Sequence, residues 1–403
     1  MKWLKKHIKN VFRFSESLRE LFKFFFFHSK KIDKSEIIFV LPYYQTGGAE
    51  RVHLNIVQCV QDKQLCILFT HNSATENFKP EFYKYAEVLE VNKILAKNND
   101  FVNTLLKKVL IKKINKNQEL ESIFGSNTNF FYEILPSISN PSKKLDLIHA
   151  ISNENDTIVE HYIESASIIN TRIVINKKAY NDVLNKYKIN DVPQEYYSNL
   201  KIIENAIPIN FKDELEISQN LNIGFVGRWS KEKRPEIFLE IAKNIKNQAP
   251  NVKFSMAGIG MKSNIDRINE AGVLYQGELI GQKSLDSFYK SLTFILVTSY
   301  REGFPMVIIE AMAHGVIPIC TNVGGISEHI SSYGNGVLIE SHKSQEVVVK
   351  DFVKTIQSLL NDEQLRQKIS QNAFHYARGH FNIEKFSLEY RKCLLNKLDV
   401  TTC

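Results

Sequence analysis

The sequence predicts an α/β protein made of two doubly wound domains, each a parallel sheet covered by helices, preceded by a basic arm. Three observations predict it. A chain of 403 residues exceeds what one compact core usually organises, and two domains of roughly 150 to 200 residues each are the natural division. Apolar strands that end in glycine-bearing turns and run on into helical patterns recur in both halves, as in parallel sheets with helical crossovers. The composition, 43% apolar and 24% charged, supplies two cores without a tract that would stay disordered.

In chain order this gives an arm over 1–34, a first domain over 35–207, a second over 208–382 and a terminal helix over 383–403. Residues 1–34 carry ten Lys/Arg against three Asp/Glu, so nearly all of the net charge of +8 sits in the arm. A nucleic-acid binder would spread such charge over its folded body, so that class is excluded. Within the arm Leu4, Ile8, Val11, Phe12, Leu18, Leu21, Phe22 and Phe25 recur at helical spacing, with Lys5, Lys6, Lys9, Arg13, Arg19 and Lys23 largely between them. Such a helix either lies in the headgroup region of an anionic membrane or packs on the body with a solvated basic face. The cysteines Cys59, Cys66, Cys320, Cys393 and Cys403 form no metal or disulfide pattern, so a reducing compartment is expected. No apolar run is long enough to span a bilayer, and no secretory leader is evident. A cytoplasmic protein, peripheral on the inner face of the cell membrane if the arm docks there, is expected.

The first strand is expected at Ile37–Leu41, followed by Gly47 and Gly48 and a helix running from Val52; glycine there lets the backbone approach a ligand, and the helix start offers unpaired N–H groups. Further strands are expected at Leu65–Thr70 and Leu145–Ala150. The stretch 98–145 is the least readable, and Lys107, Lys108, Lys112, Lys113 and Lys116 read as a solvated helix face. An apolar strand running into Pro208 places the domain boundary near 205–215. Beyond it, Ile223–Val226, Val252–Ala257, Phe294–Thr298 and Val316–Cys320 are successive strands whose following loops share one edge of a doubly wound sheet, where ligands bind.

The loop after the first of these holds Arg228 and Lys233, two cations suited to a diphosphate; taken alone it reads as an exposed basic loop. After Phe294–Val297, Pro305 opens a helix whose first N–H groups, on Met306 and Val307, make an anion site. Glu302 precedes that helix and Glu310 lies within it. Carboxylates hold the hydroxyls of a ribose or hexose, and helix capping is the plainer role for Glu302. Glu328, after Gly324-Gly325, is expected to cap a helix.

Taken together and in order, Gly47-Gly48-Ala49-Glu50-Arg51, Asn205-Ala206-Ile207, Gly227-Arg228 with Lys233-Arg234-Pro235, Gly258-Ile259-Gly260, Glu302-Gly303-Phe304-Pro305 through Glu310-Ala311-Met312-Ala313-His314-Gly315, and Gly324-Gly325 with Glu328 resemble the retaining GT-B glycosyltransferases of family 4, the glycosyl transferases group 1. The resemblance runs from about residue 36 to the carboxyl terminus and is dense after 200. It implies a GT-B fold, two Rossmann-like domains facing a cleft, with a last helix from Phe386 to Leu398 crossing back to the first domain. It assigns the donor diphosphate to Arg228 and Lys233, the donor sugar to Glu302 and the ribose to Glu310. Gly47, Gly48, Gly227, Gly258, Gly303, Phe304, Pro305, Met306 and Val307 complete the implied donor set. A histidine near the donor sugar corresponds to His149. Many members read His-x-His, and Ile151 stands in the second place here, so His149 is either a catalytic contact or a core histidine.

The implied catalytic set is therefore Glu302, His149, Arg228 and Lys233. No metal and no cofactor are expected beyond the nucleoside-diphosphate sugar, with UDP favoured over GDP. The expected reaction moves a hexose or N-acetylhexosamine to a hydroxyl of a growing, lipid-linked cell-surface glycan, as in capsule or lipopolysaccharide assembly. The rivals are a sugar-nucleotide 2-epimerase of the same fold and a membrane-docked, non-catalytic subunit of a polysaccharide assembly complex.

Overall fold

The structure, a computed structural model, describes residues 14–95, 99–151, 157–208, 215, 221–341 and 344–396. It divides into two compact units. The first gathers the chain up to Ile175, Tyr180–Ile203 and the residues from Ser387 on; the second gathers Asn176–Ala179 and Glu204–Phe386.

The first unit holds seven strands: β1 (Ile37–Leu41), β2 (Leu65–Phe69), β3 (Glu87–Glu90), β4 (Ser122–Ser126), β5 (Lys143–Ile148), β6 (Thr171–Val174) and β7 (Leu200–Ile202). All pair in parallel, in the order β3-β2-β1-β4-β5-β6-β7. β1 and β2 are buried at every position, which is why they read as unbroken apolar runs rather than alternating ones. The stretch that was hard to read resolves into α2 (Asp100–Lys116), β4 and α3 (Asn129–Ile134); α1 (Gly48–Cys59) begins four residues before the expected start at Val52. In α2 only Val102, Leu106, Leu110 and Ile114 are buried, a stripe narrow enough to be hidden among the lysines.

The second unit repeats the plan with β8 (Asn222–Val226), β9 (Lys253–Ala257), β10 (Leu274–Tyr275), β11 (Phe294–Val297), β12 (Ile317–Thr321) and β13 (Val337–Ile339), all parallel in the order β10-β9-β8-β11-β12-β13. Its core is continuous from Ile223 and Phe225 through Phe238, Phe254 and Phe294 to Phe352 and Ile369. Strand order reverses between β1 and β4 in one sheet and between β8 and β11 in the other. Crevices outside the carboxyl ends of such strand pairs are where open α/β sheets bind ligands.

The first half of the expected amphipathic arm, including Leu4, Ile8, Val11 and Phe12, lies outside the described residues. Residues 14–23 are helical and end in a widened turn, Phe24–His28. Leu21 and Phe24 are buried, whereas Phe22, Phe25, Phe26 and Phe27 are 56%, 50%, 54% and 73% exposed. No helix among the described residues is long and apolar enough to cross a membrane. The last helix, α6 (Ile383–Leu394), places Tyr390 fully buried against Phe124 and pairs Arg391 with Asp62.

Candidate functional site

The loop after β8 is fixed before any side chain is placed. Gly227 N–H donates to Ala257 O at 3.1 Å and Trp229 N–H to Ile259 O at 2.8 Å, tying the ends of β8 and β9 together. Gly258 takes φ +134°, and a Cβ there would lie 2.0 Å from Gly227 O, so only glycine lets these strand ends approach so closely. Arg228, between the two ties, is exposed and makes no ion pair among the described residues.

The loop then runs into the helix α4 (Pro235–Lys246) through Arg234, held in the left-handed region at φ 48° and ψ 56°. Strained residues of this kind persist where surrounding bonds over-determine them. Here the Arg234 guanidinium donates to Thr298 O at 2.6 Å and Ser299 O at 3.1 Å, while the Thr298 hydroxyl donates to Lys233 O and Arg234 O at 2.9 and 3.0 Å. This exchange laces the β8 loop to the end of β11, across the switch point of the sheet. It aims Lys233 at Glu302.

Lys233 Nζ donates to Glu302 Oε1 at 2.6 Å, and the Ser299 hydroxyl donates to the same oxygen at 2.5 Å. The Glu302 side chain is 7% exposed and that of Lys233 22%. An ammonium has three donors, so Lys233 can hold the carboxylate and still present N–H groups to a ligand. Glu302 takes no capping role: no side chain caps the helix α5 (Met306–Ala313), which starts behind an extended Pro305. In its first turn Ile308 N–H donates to Pro305 O at 3.0 Å, and the N–H groups of Met306 and Val307 have no side-chain cap, as at helix starts that suit an anion. Gly324, at φ +61°, packs so tightly on the Glu302 backbone that a Cβ would lie 1.7 Å from Glu302 O, and Gly325 N–H donates to Gly303 O at 2.7 Å. Phe304 is buried against His329, and its carbonyl accepts from Asn205 Nδ2 at 3.3 Å. Glu328 accepts from the N–H groups of Lys177 and Lys178 at 2.8 and 2.7 Å, which is a capping role.

Glu310 is held by a separate group. Its Oε2 accepts from the Tyr289 hydroxyl at 2.7 Å, and His314 stacks on the Tyr289 ring at 5.6 Å. Burial, reinforced by the Glu310 carboxylate, raises the Tyr289 pKa well above the ordinary value, so the hydroxyl stays a donor and orients the carboxylate. Lys233 and Glu302 thus meet directly, while Glu310 is aimed independently.

In the first unit Gly47 is extended and Gly48 begins α1; the Glu50 carboxylate folds back over Gly47, 2.1 Å from where a Cβ would be. His149 follows β5, and its Nε2 lies 3.2 Å from His53 Nε2, on α1. Sequence reasoning missed His53, which looks like one polar position in an apolar helix. Burial, with the His149 ring nearby, lowers the His53 pKa well below the usual value, and burial lowers that of His149 to about 4. One ring donates and the other accepts, so the pair is neutral when folded. Because both folded pKa values lie below the unfolded value of about 6.5, the stability this contributes is full above pH ~6.5 and is lost as pH falls toward 4. The melting temperature is therefore expected to drop over that window, and to drop less in a His53→Phe variant; equal pH dependence in both proteins would disprove this origin.

Residues 207–376 match the family pattern of the glycosyl transferases group 1. The match falls within the second unit. An uncharacterized glycosyltransferase of Methanocaldococcus jannaschii is 29% identical over 214 residues, 52% of this chain and 57% of that protein. The poly(ribitol-phosphate) α-N-acetylglucosaminyltransferase of Staphylococcus aureus is 27% identical over 312 residues, 73% of this chain and 59% of that protein. The chain thus spans less than two thirds of the length of either relative. Among solved structures, Anabaena HepE in complex with UDP and glucose superposes with a TM-score of 0.69 at 18% identity, covering 89% of this chain and 99% of that one. The fold is that of the GT-B glycosyltransferases. The matched stretch contains Arg228, Lys233, Glu302 and Glu310 alike.

Proposed function

We propose that the chain is a retaining glycosyltransferase of family 4 type that moves a hexose or N-acetylhexosamine from a nucleoside-diphosphate sugar, with UDP the favoured carrier, to a hydroxyl of a growing, lipid-linked cell-surface glycan. The observation that carries this reading is the Lys233–Glu302 contact at the β8/β11 switch point, beside the uncapped start of α5. HepE was solved with UDP, and the staphylococcal relative is named for transfer of N-acetylglucosamine to poly(ribitol phosphate); both chemistries suit this site. Arg228, Lys233 and the helix start take the diphosphate, Glu302 the sugar hydroxyls, and Glu310 the ribose. In the reaction the bond from the anomeric carbon to the diphosphate oxygen breaks, the acceptor oxygen bonds to that carbon on the same face, and the acceptor proton passes to the departing phosphate oxygen. The protein's contribution is electrostatic, since negative charge grows on the diphosphate as that bond breaks.

A panel of UDP-, GDP-, ADP- and TDP-sugars tests the reading. At about a hundred times its dissociation constant the matching donor adds ~2.7 kcal/mol of stability, a rise of several degrees in melting temperature. No shift with any of the panel would refute it, and isomerised donor formed without acceptor would assign the chain to the epimerases instead.

Support for a membrane-borne acceptor comes from Phe22, Phe25, Phe26 and Phe27, adjacent and mostly exposed in an arm rich in Lys and Arg. Exposed aromatic patches of this kind mark interaction surfaces, and basic groups add attraction to anionic lipid. The protein is expected to float with phosphatidylglycerol-containing vesicles and not with phosphatidylcholine alone, and a Phe25→Ser/Phe27→Ser variant to lose this. Equal flotation of the variant would exclude the patch.

A further inference from the structure

The loop Glu302-Gly303-Phe304-Pro305 rests on a seat built around a histidine. The turn Ile326–Glu328, which follows Gly324 and Gly325, ends in His329; its N–H donates to Ile326 O at 3.2 Å and its carbonyl accepts from Asn335 Nδ2 at 2.9 Å. One short segment thus grips the loop twice, by Gly324 on the Glu302 backbone and by the His329 ring on the Phe304 ring, 4.4 Å between centroids. Phe381 closes the cluster, 5.5 Å from Phe304 and 5.2 Å from His329. All of these residues belong to the second unit.

A leucine would fill this place without desolvating a polar atom. His329 is buried, yet its Nε2 has no hydrogen-bond partner and stops 3.9 Å from Glu204 Oε1; an orphan of this kind is rare and destabilising. What the imidazole adds over leucine is direction. Its Nδ1 lies 3.1 Å from the Tyr376 hydroxyl. The Glu204 carboxylate favours the ring proton on Nε2, so Nδ1 accepts from Tyr376, whose pKa is raised by burial and by Glu204. Burial lowers the His329 pKa, although Glu204 and Glu328 pull it upward, so the ring is neutral at pH 7 and keeps this orientation. Tyr376 is itself stacked on His380 at 3.9 Å. In a close-packed interior, a ring fixed in this way fixes the ring that lies on it.

Resting on the glycosyltransferase reading above, we infer that His329 is a positioning residue for the donor sugar: tied to Tyr376, it seats Phe304 and so sets where Glu302, two residues earlier, meets the sugar hydroxyls. It acts through Phe304 and not on the substrate. Misplacing a substrate-holding group by about 1 Å can cost ~10²-fold. On the same reading Lys233 and Glu310, aimed by other contacts, hold the UDP part, so the seat governs the sugar and leaves the nucleotide largely alone.

Calorimetric titration of the full chain with UDP, UDP-glucose and UDP-N-acetylglucosamine, without acceptor, separates the two parts. The native chain is expected to bind at least one of the sugar nucleotides more tightly than UDP. His329→Leu is expected to reduce that preference by about tenfold or more while changing the UDP affinity by less than about twofold, and Tyr376→Phe, which removes a single oxygen, to reduce it by about threefold. Retained UDP affinity also shows that the variants are folded, whereas a histidine with only a structural role would weaken UDP and sugar nucleotide alike. Full native preference in either folded variant, equal weakening of both ligands, or no preference in the native chain would each overturn the positioning role. If His329→Leu does not fold, Tyr376→Phe decides by the same criteria. Failure of the native chain to bind UDP would instead overturn the donor reading.

Discussion

Replacing Lys233 with Met is expected to lower kcat/KM by about 10²–10³-fold, the usual cost of removing one preorganised electrostatic group from a site where charge develops. On the proposed diphosphate role, the fall should appear mainly in kcat, because the ammonium would meet more charge on the departing diphosphate than on the bound donor. Lys233→Arg should recover only part, since a guanidinium fork does not reproduce a point charge at this distance. Stability should change little. The Lys233 side chain is 22% exposed, and Glu302 keeps the Ser299 hydroxyl as a donor, so the lost contact is worth about 1 kcal/mol. Acceptor-dependent release of UDP measures the first effect and the melting temperature the second. Full transfer activity in Lys233→Met would remove the diphosphate role assigned here.

Arg172→Met is expected to cost about 3–5 kcal/mol, the penalty for leaving a buried charge without its partner. Arg172 on β6 and Asp146 on β5 stand opposite each other in the strand register, with side chains 1% and 0% exposed. Arg172 Nε donates to both carboxylate oxygens at 3.1 and 2.9 Å, and Nη2 donates to Oδ2 at 2.7 Å. The Tyr132 hydroxyl donates to Asp146 Oδ2 at 2.9 Å and Arg172 Nη2 to Ser165 Oγ at 2.7 Å; Arg172 also contacts Tyr162 O and the Tyr187 hydroxyl. Burial alone would lower the Arg172 pKa, yet Asp146 raises it above the ordinary value, so the guanidinium stays charged. Urea unfolding of the single variant should show an early transition. A double Arg172→Met/Asp146→Leu variant should regain much of the loss, because it removes both charges; if it were no more stable than the single variant, the cost would lie in packing rather than in the orphaned carboxylate.

This network shows where sequence reading stops. Parallel strands buried on both faces announce themselves as apolar runs, so β1 was placed residue for residue and β11 was recognised from Phe294–Val297, while the start of α5 followed from Pro305. A charge inside such a strand reads as a strand end or a surface position, and nothing in the sequence pairs Asp146 with a residue 26 positions later. The loops after β8 and β11 were legible because they sit on glycine and proline punctuation. The contact between Lys233 and Glu302, 69 residues apart, was not, because it depends on the lacing of Arg234 to Thr298, and a left-handed arginine leaves no compositional trace. His53 went unnoticed for the same reason: its meaning comes from His149 on another element.

The first unit is assembled from chain segments that include Ser387 onward, with Tyr390 in its core against Phe124, Arg391 on Asp62, and Lys143 Nζ donating to Leu395 O at 2.5 Å. On the ribosome, then, the sheet made earliest cannot be finished earliest. The second unit, contiguous from Glu204 to Phe386 apart from four residues, has all of its strands outside the exit tunnel while the first still lacks its closing helix. A nascent chain stalled before Ser387 would expose the apolar surface that Tyr390 and Leu394 cover.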